Sequence, residues 1–544
     1  MSPLSTPARA LSTLLSTAAL DKHPQSAERG ITLDLGFSAF QVDVPPSLAH
    51  QLPYNKIQFT LVDCPGHASL IRTIIGGAQI IDMMLLVVDV TKGIQTQTAE
   101  CLVVGEVSPT KEMVVVLNKT DLLPAATKQA QIDKMRKRLR ATLKGTKFAD
   151  AAMVATAAAA VPSAAEAAGA APAAAADGIA DIVNELMARV PSISRTLDGP
   201  FLFAIDHCFP IKGQGTVMTG TVLRGHVAVN DSLELPLLKL QKKVKGMQMF
   251  HRPVTRASQG DRVGLCVTQL DPKLIERGIA AAPGSVPLLS AAIAAVHPIR
   301  FFKGPLTSNS KFHVTVGHST VMTTVTFFVN PAPDLSATLL TSASPFDFSL
   351  DYPYAASLED SASVPGATQP VSNASDQHQD ASDAAASASH ARFALLVFDS
   401  EIACPSDALL IASRLDSDIH ANTCRMAFHG LILAPIDPST MHSGSQPLRV
   451  FKLKTREGVI DRVVDSHSLI GRGLFKKETD ISKFVGLRVT TVGGAQGTIQ
   501  SPFGKSGKFK VVFQSALPKE AVAGAPLHLV FKRLLFDKTK QMLQ

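Results

Sequence analysis

The sequence predicts a chain of several domains: an α/β domain first, then two β-barrels, and a basic, β-rich domain at the C-terminal end. Three observations support this fold class. Only the first 195 residues alternate strand-like with helix-like apolar patterns, the later segments consist of short β-branched runs between turn signals, and two low-complexity tracts interrupt the chain. A length of 544 residues is enough for three or four domains.

The composition excludes several classes of protein. With 46% hydrophobic and 18% charged residues, the chain is typical of soluble globular proteins, and no apolar run reaches the roughly 18 residues of a membrane helix. The six cysteines include no Cys-x-x-Cys pair, which argues against a zinc ribbon or a disulfide framework and favours a reducing compartment. The first 20 residues contain Ser and Arg but no acid, so a transit peptide and a cytosolic first helix are both open.

Positive charge is concentrated at the C-terminal end. Residues 447–544 contain 18 Lys and Arg against 7 Asp and Glu, a net charge of +11, whereas the whole chain carries only +8. Such a domain is a candidate for binding the phosphate backbone of a nucleic acid, because Lys and Arg displace its condensed counterions. A solvated basic surface without a partner is the alternative.

Two tracts mark the joints of the chain. Residues 149–178 are rich in Ala, with interrupting prolines, and residues from about 332 to 390 are rich in Ser, Ala and Asp. We expect both to be loops or disordered insertions. The predicted domains are 1–195, with the first tract as an insertion, 198–290, 291–435, with the second tract as an insertion, and 447–544.

The candidate chemistry lies in the first domain, at the ends of apolar strands. "KIQFTLVDCPGH" is a buried strand that ends at Asp63, and "EMVVVLNKTD" is another that ends at Asn118. Helical patterns separate the strands, which predicts a parallel sheet with functional loops at the carboxyl ends of its strands. Asp63 and Asn118 both fall at such ends.

The first motif, "DCPGH", has the residues for a phosphate site. Asp63 can hold Mg²⁺ through its water ligands, the turn at Gly66 lets a backbone N–H approach a terminal phosphate, and His67 is placed to orient an attacking water. An Asp-x-x-Gly alone is weak evidence, because it occurs by chance in many loops.

The second motif, "NKTD", is more specific. The Asp121 carboxylate can accept hydrogen bonds from N1–H and the exocyclic amine of guanine, which adenine cannot offer. Asn118 can contact the O6 and N7 edge, and the aliphatic stem of Lys119 can cover the ring face. The alternative is a simple turn after a strand, but the spacing of 51 residues from His67 accommodates a strand, a helix and a strand.

"RGITLDLGF", "DCPGH" and "NKTD" resemble nucleotide motifs of the translational GTPases of the elongation factor Tu class. "DHCFPIKGQGTVMTGTV" and "LIGRGLFKKETDISKFVGL", among other segments, resemble the eukaryotic selenocysteine-specific elongation factors. The resemblance implies a P-loop-type G domain, two β-barrels and a fourth domain. It also implies a cytoplasmic factor that binds GTP and Mg²⁺ and delivers selenocysteinyl-tRNA to the ribosome at recoded UGA codons, with GTP hydrolysis on delivery.

The resemblance also implies roles for individual residues. Thr32 corresponds to the switch Thr that reaches Mg²⁺, and Asp206, His207 and Arg262 correspond to the pocket for the aminoacyl group. Arg262 and His207 could favour an ionised selenol, and Asp206 could pair with the amino group. The fourth domain is expected to contact the selenocysteine insertion element RNA or its binding protein, with no membrane partner.

The sequence departs from this family at the phosphate loop. No Gly-x-x-x-x-Gly-Lys-Ser/Thr precedes Thr32, so the G domain is N-terminally incomplete, and residues 154–160 stand where the family has a Val-Ala-Ala-Lys-like turn. The chain is therefore either a fragment of an intact GTPase or a nucleotide-free protein that binds tRNA or another RNA. A third hypothesis keeps the GTPase with another cargo, as in elongation factor 1A or the initiation factor 2 γ subunit.

Overall fold

The computed structural model describes most of the chain outside its low-complexity tracts. The described residues are 36–52, 54–64, 75–157, 178–331, 346–359, 390–416, 424–439, 441, 447–504, 506–517, 522–536 and 542–544. Thr32, Gly66 and His67 lie outside them, so their roles stay predictions.

The N-terminal α/β domain contains two sheets within the described residues. An antiparallel pair, in which Gly36 is opposite Asp63, stands beside a parallel sheet of order β3-β4-β5. The strands are β1 (Gly36–Asp43), β2 (Lys56–Asp63), β3 (Met83–Asp89), β4 (Glu112–Asn118) and β5 (Ala152–Ala155).

Three helices cover the parallel sheet: α1 (Thr96–Val107), α2 (Lys128–Leu143) and α3 (Ile179–Arg189). The central strand β4 is a continuous apolar run because both of its faces are buried. Ile182 of α3 packs against one face and Leu139 of α2 against the other. This packing fixes the carboxyl end of β4, where Asn118 lies.

The first barrel is a closed ring of six strands. The hydrogen-bonded order β10-β13-β7-β6-β14-β9 returns to β10, and β11 extends the sheet. The strands of this domain are β6 (Leu202–Ile211), β7 (Gly215–Arg224), β8 (His226–Ala228), β9 (Ser232–Leu235), β10 (Leu240–Met249), β11 (Arg252–Val254), β12 (Arg256–Ser258), β13 (Arg262–Val267) and β14 (Gly278–Ala281), of which β8 and β12 form a separate antiparallel pair. Alternating residues such as Phe203, Met218 and Leu265 point inward and are fully buried.

The second barrel closes in the same way, through the order β16-β20-β21-β15-β19-β17 and a pairing of β16 with β17. Its strands, with the additional strand β18, are β15 (Leu288–Pro298), β16 (Ser310–Val316), β17 (Ser319–Val329), β18 (Tyr352–Ala355), β19 (Arg392–Ala403), β20 (Leu409–Ser413) and β21 (Met426–Ile436). Phe312 and Phe327 meet Phe428 edge to face at centroid distances of 5.3 and 5.5 Å in its core.

The C-terminal domain is a third closed ring, of order β22-β23-β26-β25-β24-β27, with β22 paired to β27. Its strands are β22 (Val450–Asp465), β23 (Ser468–Arg472), β24 (Arg488–Thr491), β25 (Gln496–Phe503), β26 (Lys508–Phe513), β27 (Pro526–Leu534) and β28 (Met542–Leu543). The order of the four domains confirms the predicted fold. No helix in the described part of the chain is long and apolar enough to cross a membrane.

Two expectations about the low-complexity tracts need correction. Residues 152–155, inside the first tract, form β5, which pairs with β4 in the parallel sheet. Residues 346–359, inside the second tract, form an ordered segment whose strand β18 pairs with β17 and, in parallel, with β22. Tyr352 stacks on Phe346 at 4.8 Å and meets Phe328 at 5.4 Å, so aromatic burial overrides the polar composition around it.

The α/β domain and the second barrel share an apolar interface. Ile75, Ala78 and Val104 of the first pack with Ile411 and Met426 of the second. Beside them, the carboxylate of Glu100 accepts two hydrogen bonds of 3.2 Å from the Arg425 guanidinium. The two domains are therefore held together by a packed core and a buried ion pair.

Candidate functional site

The "NKTD" motif lies at the carboxyl end of β4, where the sequence predicts it. Asn118 is 1% exposed and is the last residue of the strand. Lys119 has a φ of 67°, and residues Thr120–Leu122 form a short 3-10 turn. This turn leaves the Asp121 side chain exposed, where an incoming base can reach its carboxylate.

Lys119 is fixed by an ion pair with the neighbouring strand. Its Nζ donates to Oδ2 of Asp89 at 2.7 Å, and Oδ1 of Asp89 accepts from the Thr91 hydroxyl at 2.6 Å. Burial would raise the pKa of Asp89, but these hydrogen bonds outweigh it and hold the pKa below its usual value. The Lys119 stem is therefore held beside the loop, as a platform for a planar base requires.

Thr156, the residue after β5, supports the "NKTD" loop through backbone hydrogen bonds. The Thr156 N–H donates to the Leu117 carbonyl at 2.8 Å, and the Thr120 N–H donates to the Thr156 carbonyl at 3.3 Å. Thr156 is fully buried. The segment that contains Thr156 therefore keeps its structural contact with the "NKTD" loop although its sequence departs from the family pattern.

Asp63 ends β2, with 7% of its surface exposed, and pairs across the sheet with Gly36. It lies directly before the "PGH" part of its motif, which is outside the described residues. At the adjacent Cys64, burial, with smaller contributions from Cys101 and Asp63, raises the pKa of the thiol to about 12. Among the described residues of this motif, Asp63 is the candidate for holding Mg²⁺ through water.

The structure brings together two of the three candidate pocket residues. Asp206 sits at a bulge of β6, where the pairing with β7 shifts between Ile205 and His207. Arg262, on β13, donates from Nη1 to Oδ2 of Asp206. Their side chains are 2% and 11% exposed, so they form a nearly buried ion pair.

The third candidate residue, His207, is not part of this ion pair. It is the next residue on β6 after the bulge, pairs with Thr219 of β7, and is half-buried. Successive residues of a regular strand point to opposite faces of the sheet. A bulge changes the direction of the side chains at its position. No hydrogen bond between His207 and the Asp206–Arg262 pair is present in the described structure.

Asp206 has a second neighbour that the sequence did not reveal. Nε2 of His318, from the turn between β16 and β17 of the second barrel, lies 3.4 Å from Oδ1 of Asp206. Burial would raise the pKa of Asp206, but His318 and Arg262 outweigh it and lower the pKa. The carboxylate is therefore ionised at neutral pH in this position.

Arg262 also touches the α/β domain. Its Cζ lies 3.1 Å from the centroid of the Phe37 ring, on β1. A guanidinium that stacks on an aromatic face gains a cation–π attraction of about 0.5–2 kcal/mol. Phe37 closes the quoted motif "RGITLDLGF", and His318 follows a turn glycine in "VGHST", but nothing local in either stretch indicates a partner in another domain.

The comparisons with known families divide the chain in the same order as the structure. Residues 6–248 match the family "Elongation factor Tu GTP binding domain". Residues 293–430 match "Selenocysteine-specific elongation factor, eukaryotes, 3rd domain", and residues 446–528 match "eEFSec C-terminal RIFT domain".

Individual relatives agree with these families. The selenocysteine-specific elongation factor of Mus musculus is 48% identical over 99% of this chain and 96% of its own length. That of Methanocaldococcus jannaschii is 35% identical over 58% of this chain and 62% of its own. The crystal structure of elongation factor SelB from Methanococcus maripaludis with the GTP analogue GppNHp has a TM-score of 0.64 at 24% identity, covering 98% and 96% of the two chains, a likeness of fold alone.

Proposed function

Because the chain belongs to the selenocysteine-specific elongation factor family, we propose that it delivers selenocysteinyl-tRNA to the ribosome at recoded UGA codons, with GTP hydrolysis on delivery. The observation that carries the proposal is the 48% identity over 99% of the chain, which includes the basic fourth domain. A factor of this kind works where ribosomes are, so we place it in the cytoplasm. The working division of the chain is 1–195, 198–290, 291–435 and 447–544, with the second barrel beginning slightly earlier, at Leu288.

The guanine base would bind at the "NKTD" loop. The exposed carboxylate of Asp121 suits the two donors of guanine, and Asn118 and the fixed stem of Lys119 supply an edge contact and a face contact. The described residues fit the guanine end of GTP. They include no Gly-Lys loop for its phosphates.

Asp63 and Thr32 are the residues that would hold Mg²⁺, Asp63 through water. The buried position of Asp63 at a strand end suits this role. Bound Mg²⁺ neutralises charge that develops on the phosphates. In the proposal, Gly66 offers a backbone N–H to the terminal phosphate, and His67 orients the attacking water.

The aminoacyl group would bind at the first barrel, beside Arg262 and Asp206. A selenol is largely ionised at neutral pH, so a guanidinium and a His207 N–H favour it over the neutral hydroxyl of serine. The Asp206 carboxylate already has Arg262 and His318 as neighbours, so the amino group of the ester would approach an ionised, oriented acceptor. Buried polar groups that a seryl ester leaves unpaired would give the discrimination.

The fourth domain would contact RNA or an RNA-bound protein. It carries a net charge of +11 on a closed ring whose apolar side chains, such as Phe509 and Phe531, are buried. Most of its Lys and Arg are therefore left for the surface, where they suit phosphates. We assign the selenocysteine insertion element RNA, or its binding protein, as the partner.

The test compares selenocysteinyl-tRNA with seryl-tRNA in filter binding with GTP, on the full chain and on a chain given a Gly-x-x-x-x-Gly-Lys-Thr loop upstream. Preference for selenocysteinyl-tRNA by the loop-bearing chain, lost in Arg262→Ala, is the expected result. Comparable affinity for the two tRNAs, or an Arg262→Ala variant that keeps the preference, would remove the assignment.

A second candidate function is that of a nucleotide-free protein that binds tRNA. It is favoured by one observation, the absence of a Gly-x-x-x-x-Gly-Lys-Ser/Thr motif in this sequence. Binding of selenocysteinyl-tRNA by the full chain that does not change when GTP is added or removed would support it. A requirement for GTP would exclude it.

A further inference from the structure

Four side chains meet where the α/β domain and the two barrels come together. Phe37 comes from β1, Asp206 and Arg262 from the first barrel, and His318 from the second barrel. The side chains of Asp206 and His318 are 2% and 5% exposed. We refer to these four residues as the junction cluster.

The junction cluster has hydrogen-bonding capacity that the protein does not fill. Within the described structure, Oδ1 of Asp206 and Nε2 of His318 are buried and make no hydrogen bond of normal geometry. They face each other at 3.4 Å, too long for a strong bond. Buried groups left in this way are rare in folded proteins and are often found at functional sites.

The junction cluster is also close in sequence to residues predicted to contact Mg²⁺ and the attacking water. Phe37, the second residue of β1, follows Thr32 by five residues. His318 packs on Gly76 of the α/β domain, where an added Cβ would lie 3.2 Å from Nδ1 of the ring. Gly76 in turn follows His67 by nine residues.

A purely structural role explains this arrangement poorly. A nearly buried Asp–Arg pair pays a desolvation penalty that its Coulombic attraction often fails to recover, so apolar residues of similar volume stabilise such a position as well or better. The charges of Asp206 and Arg262 have a use if they interact with charged groups of a ligand. The candidate aminoacyl pocket supplies that reason.

We propose that Phe37 and His318 are specificity-positioning residues of the aminoacyl pocket, His318 orienting the Asp206 carboxylate and Phe37 orienting the Arg262 guanidinium. The pocket is then complete only when all three domains are docked. This inference rests on the proposed function for the identity of the ligand, an α-aminoacyl ester with an anionic side chain. The positioning itself is a property of the free protein.

The first experiment needs no tRNA. The full chain is treated with phenylglyoxal, and the modification rate of each arginine is read by mass spectrometry of its peptide. Arg262 is expected to react slowly in the wild type and about fivefold faster in Phe37→Leu and His318→Leu, because loss of one neighbour frees it for part of the time. His318→Gln retains a donor near Oδ1 and is expected to stay near the wild-type rate.

Arginines elsewhere serve as controls. Arg256, exposed on β12, should react quickly, and Arg425, 4% exposed at the other interface, should react slowly in every variant. A general loss of folding would raise the rate at Arg425 as well. If Arg262 reacts as fast as Arg256 in the wild type, or is unchanged in His318→Leu and Phe37→Leu, the positioning role is overturned.

The second experiment uses the loop-bearing chain with GTP and measures the ratio of its affinities for selenocysteinyl-tRNA and seryl-tRNA. We expect the ratio to fall about tenfold in His318→Leu, to be retained in His318→Gln, and to be unchanged in His226→Gln, an exposed histidine of the first barrel. An unchanged ratio in His318→Leu overturns the specificity role. A wild type without any preference instead refutes the proposed function, and the arginine experiment still decides the positioning.

Discussion

Arg425 is a charged side chain almost removed from water, with 4% of its surface exposed. In this place Nε and Nη2 each donate to one carboxylate oxygen of Glu100, on α1. Bidentate pairs of this kind are strong and directional. They also make each partner dependent on the other, since a buried charge left alone is costly.

Replacing Arg425 with Ala should therefore destabilise the protein by about 3–5 kcal/mol, seen as a lower midpoint of thermal unfolding by calorimetry. The double variant Glu100→Gln, Arg425→Met should recover most of the loss, because no charge is left buried. A loss below about 1 kcal/mol in the single variant would contradict this assignment.

His429, on β21, is a second residue whose protonation state affects the stability of the protein. It stacks on His297 at 5.8 Å, and Lys147 of the α/β domain is close enough to repel a proton. Burial, with these two neighbours, lowers the pKa of His429 to about 4, and Arg392 contributes to lowering the pKa of His297. The folded protein therefore holds His429 neutral near neutral pH.

The sign of the pH effect follows from this lowered pKa. The unfolded chain takes up a proton near pH 6.5 and the folded chain only near pH 4, so stability is lost as the pH falls between these values. Between pH 7 and pH 5 we expect a loss of about 1–2 kcal/mol that His429→Phe removes. Calorimetry at both pH values measures it, and an equal loss in the variant would contradict it.

Residue chemistry within one motif could be read from the sequence, whereas contacts between domains could not. Asn118, Lys119 and Asp121 are neighbours in the chain, so their common position at the end of β4 follows from the strand pattern alone. His318 reaches Asp206 only because two separate barrels pack together. No local pattern encodes that distance.

At the scale of elements, the bulge in β6 decides where Asp206 points. Opposite it, on β7, Gly220 has no side chain, and an added Cβ would lie 1.9 Å from the Ala204 carbonyl oxygen. The two strands therefore approach more closely than any side chain at Gly220 permits. The bulge and the glycine together shape the part of the barrel wall that carries Asp206.

The variant Gly220→Ala should push these strands apart, cost at least about 2 kcal/mol, and raise the phenylglyoxal reactivity of Arg262. Gly246→Ala, on β10 of the same barrel, is the matched control, because an added Cβ there meets nothing within 4 Å. Thermal unfolding measures the loss of stability. Equal behaviour of the two variants would show that the close approach is unimportant.

The composition of the two low-complexity tracts predicts loops, and this prediction is wrong where a short strand lies inside a tract. β5 is hidden by alanines around it, yet Val154 is 8% exposed in the parallel sheet. β18 is hidden by Ser and Ala, although the aromatic residues of "PFDFSLDYPY" indicate a core contact. The average composition of a tract does not reveal a few apolar residues within it. Those few residues decide which part of the tract is buried.

At the scale of the whole molecule, the order of the domains could be predicted because each domain has its own strand and helix texture. The closure of three rings and the docking between them could not, since closure depends on pairings between strands far apart in the chain, such as β22 with β27. The candidate site divides in the same way. Its "NKTD" loop lies within one domain, whereas the junction cluster contains residues of three domains.

A polypeptide with this sequence should bind guanine nucleotides very weakly. In the proposed function the "NKTD" loop contacts the base, but a Gly-x-x-x-x-Gly-Lys-Ser/Thr loop normally cradles the phosphates with backbone N–H groups and a lysine, and this sequence has no such motif. Titration with a fluorescent GTP analogue measures the affinity, and Asp121→Ala tests whether any binding uses the base loop. Ordinary tight binding would contradict the prediction.

The contacts of the segment 346–359 bear on whether this protein must be one continuous polypeptide. Its strand β18 is bonded to β17 and β22, and Asp351 beside it accepts from Arg449 at 2.7 Å and Lys532 at 3.1 Å. These contacts do not need the peptide bonds on either side of the segment. The protein could therefore be produced as two polypeptides divided between β17 and β18, which should reassociate when mixed.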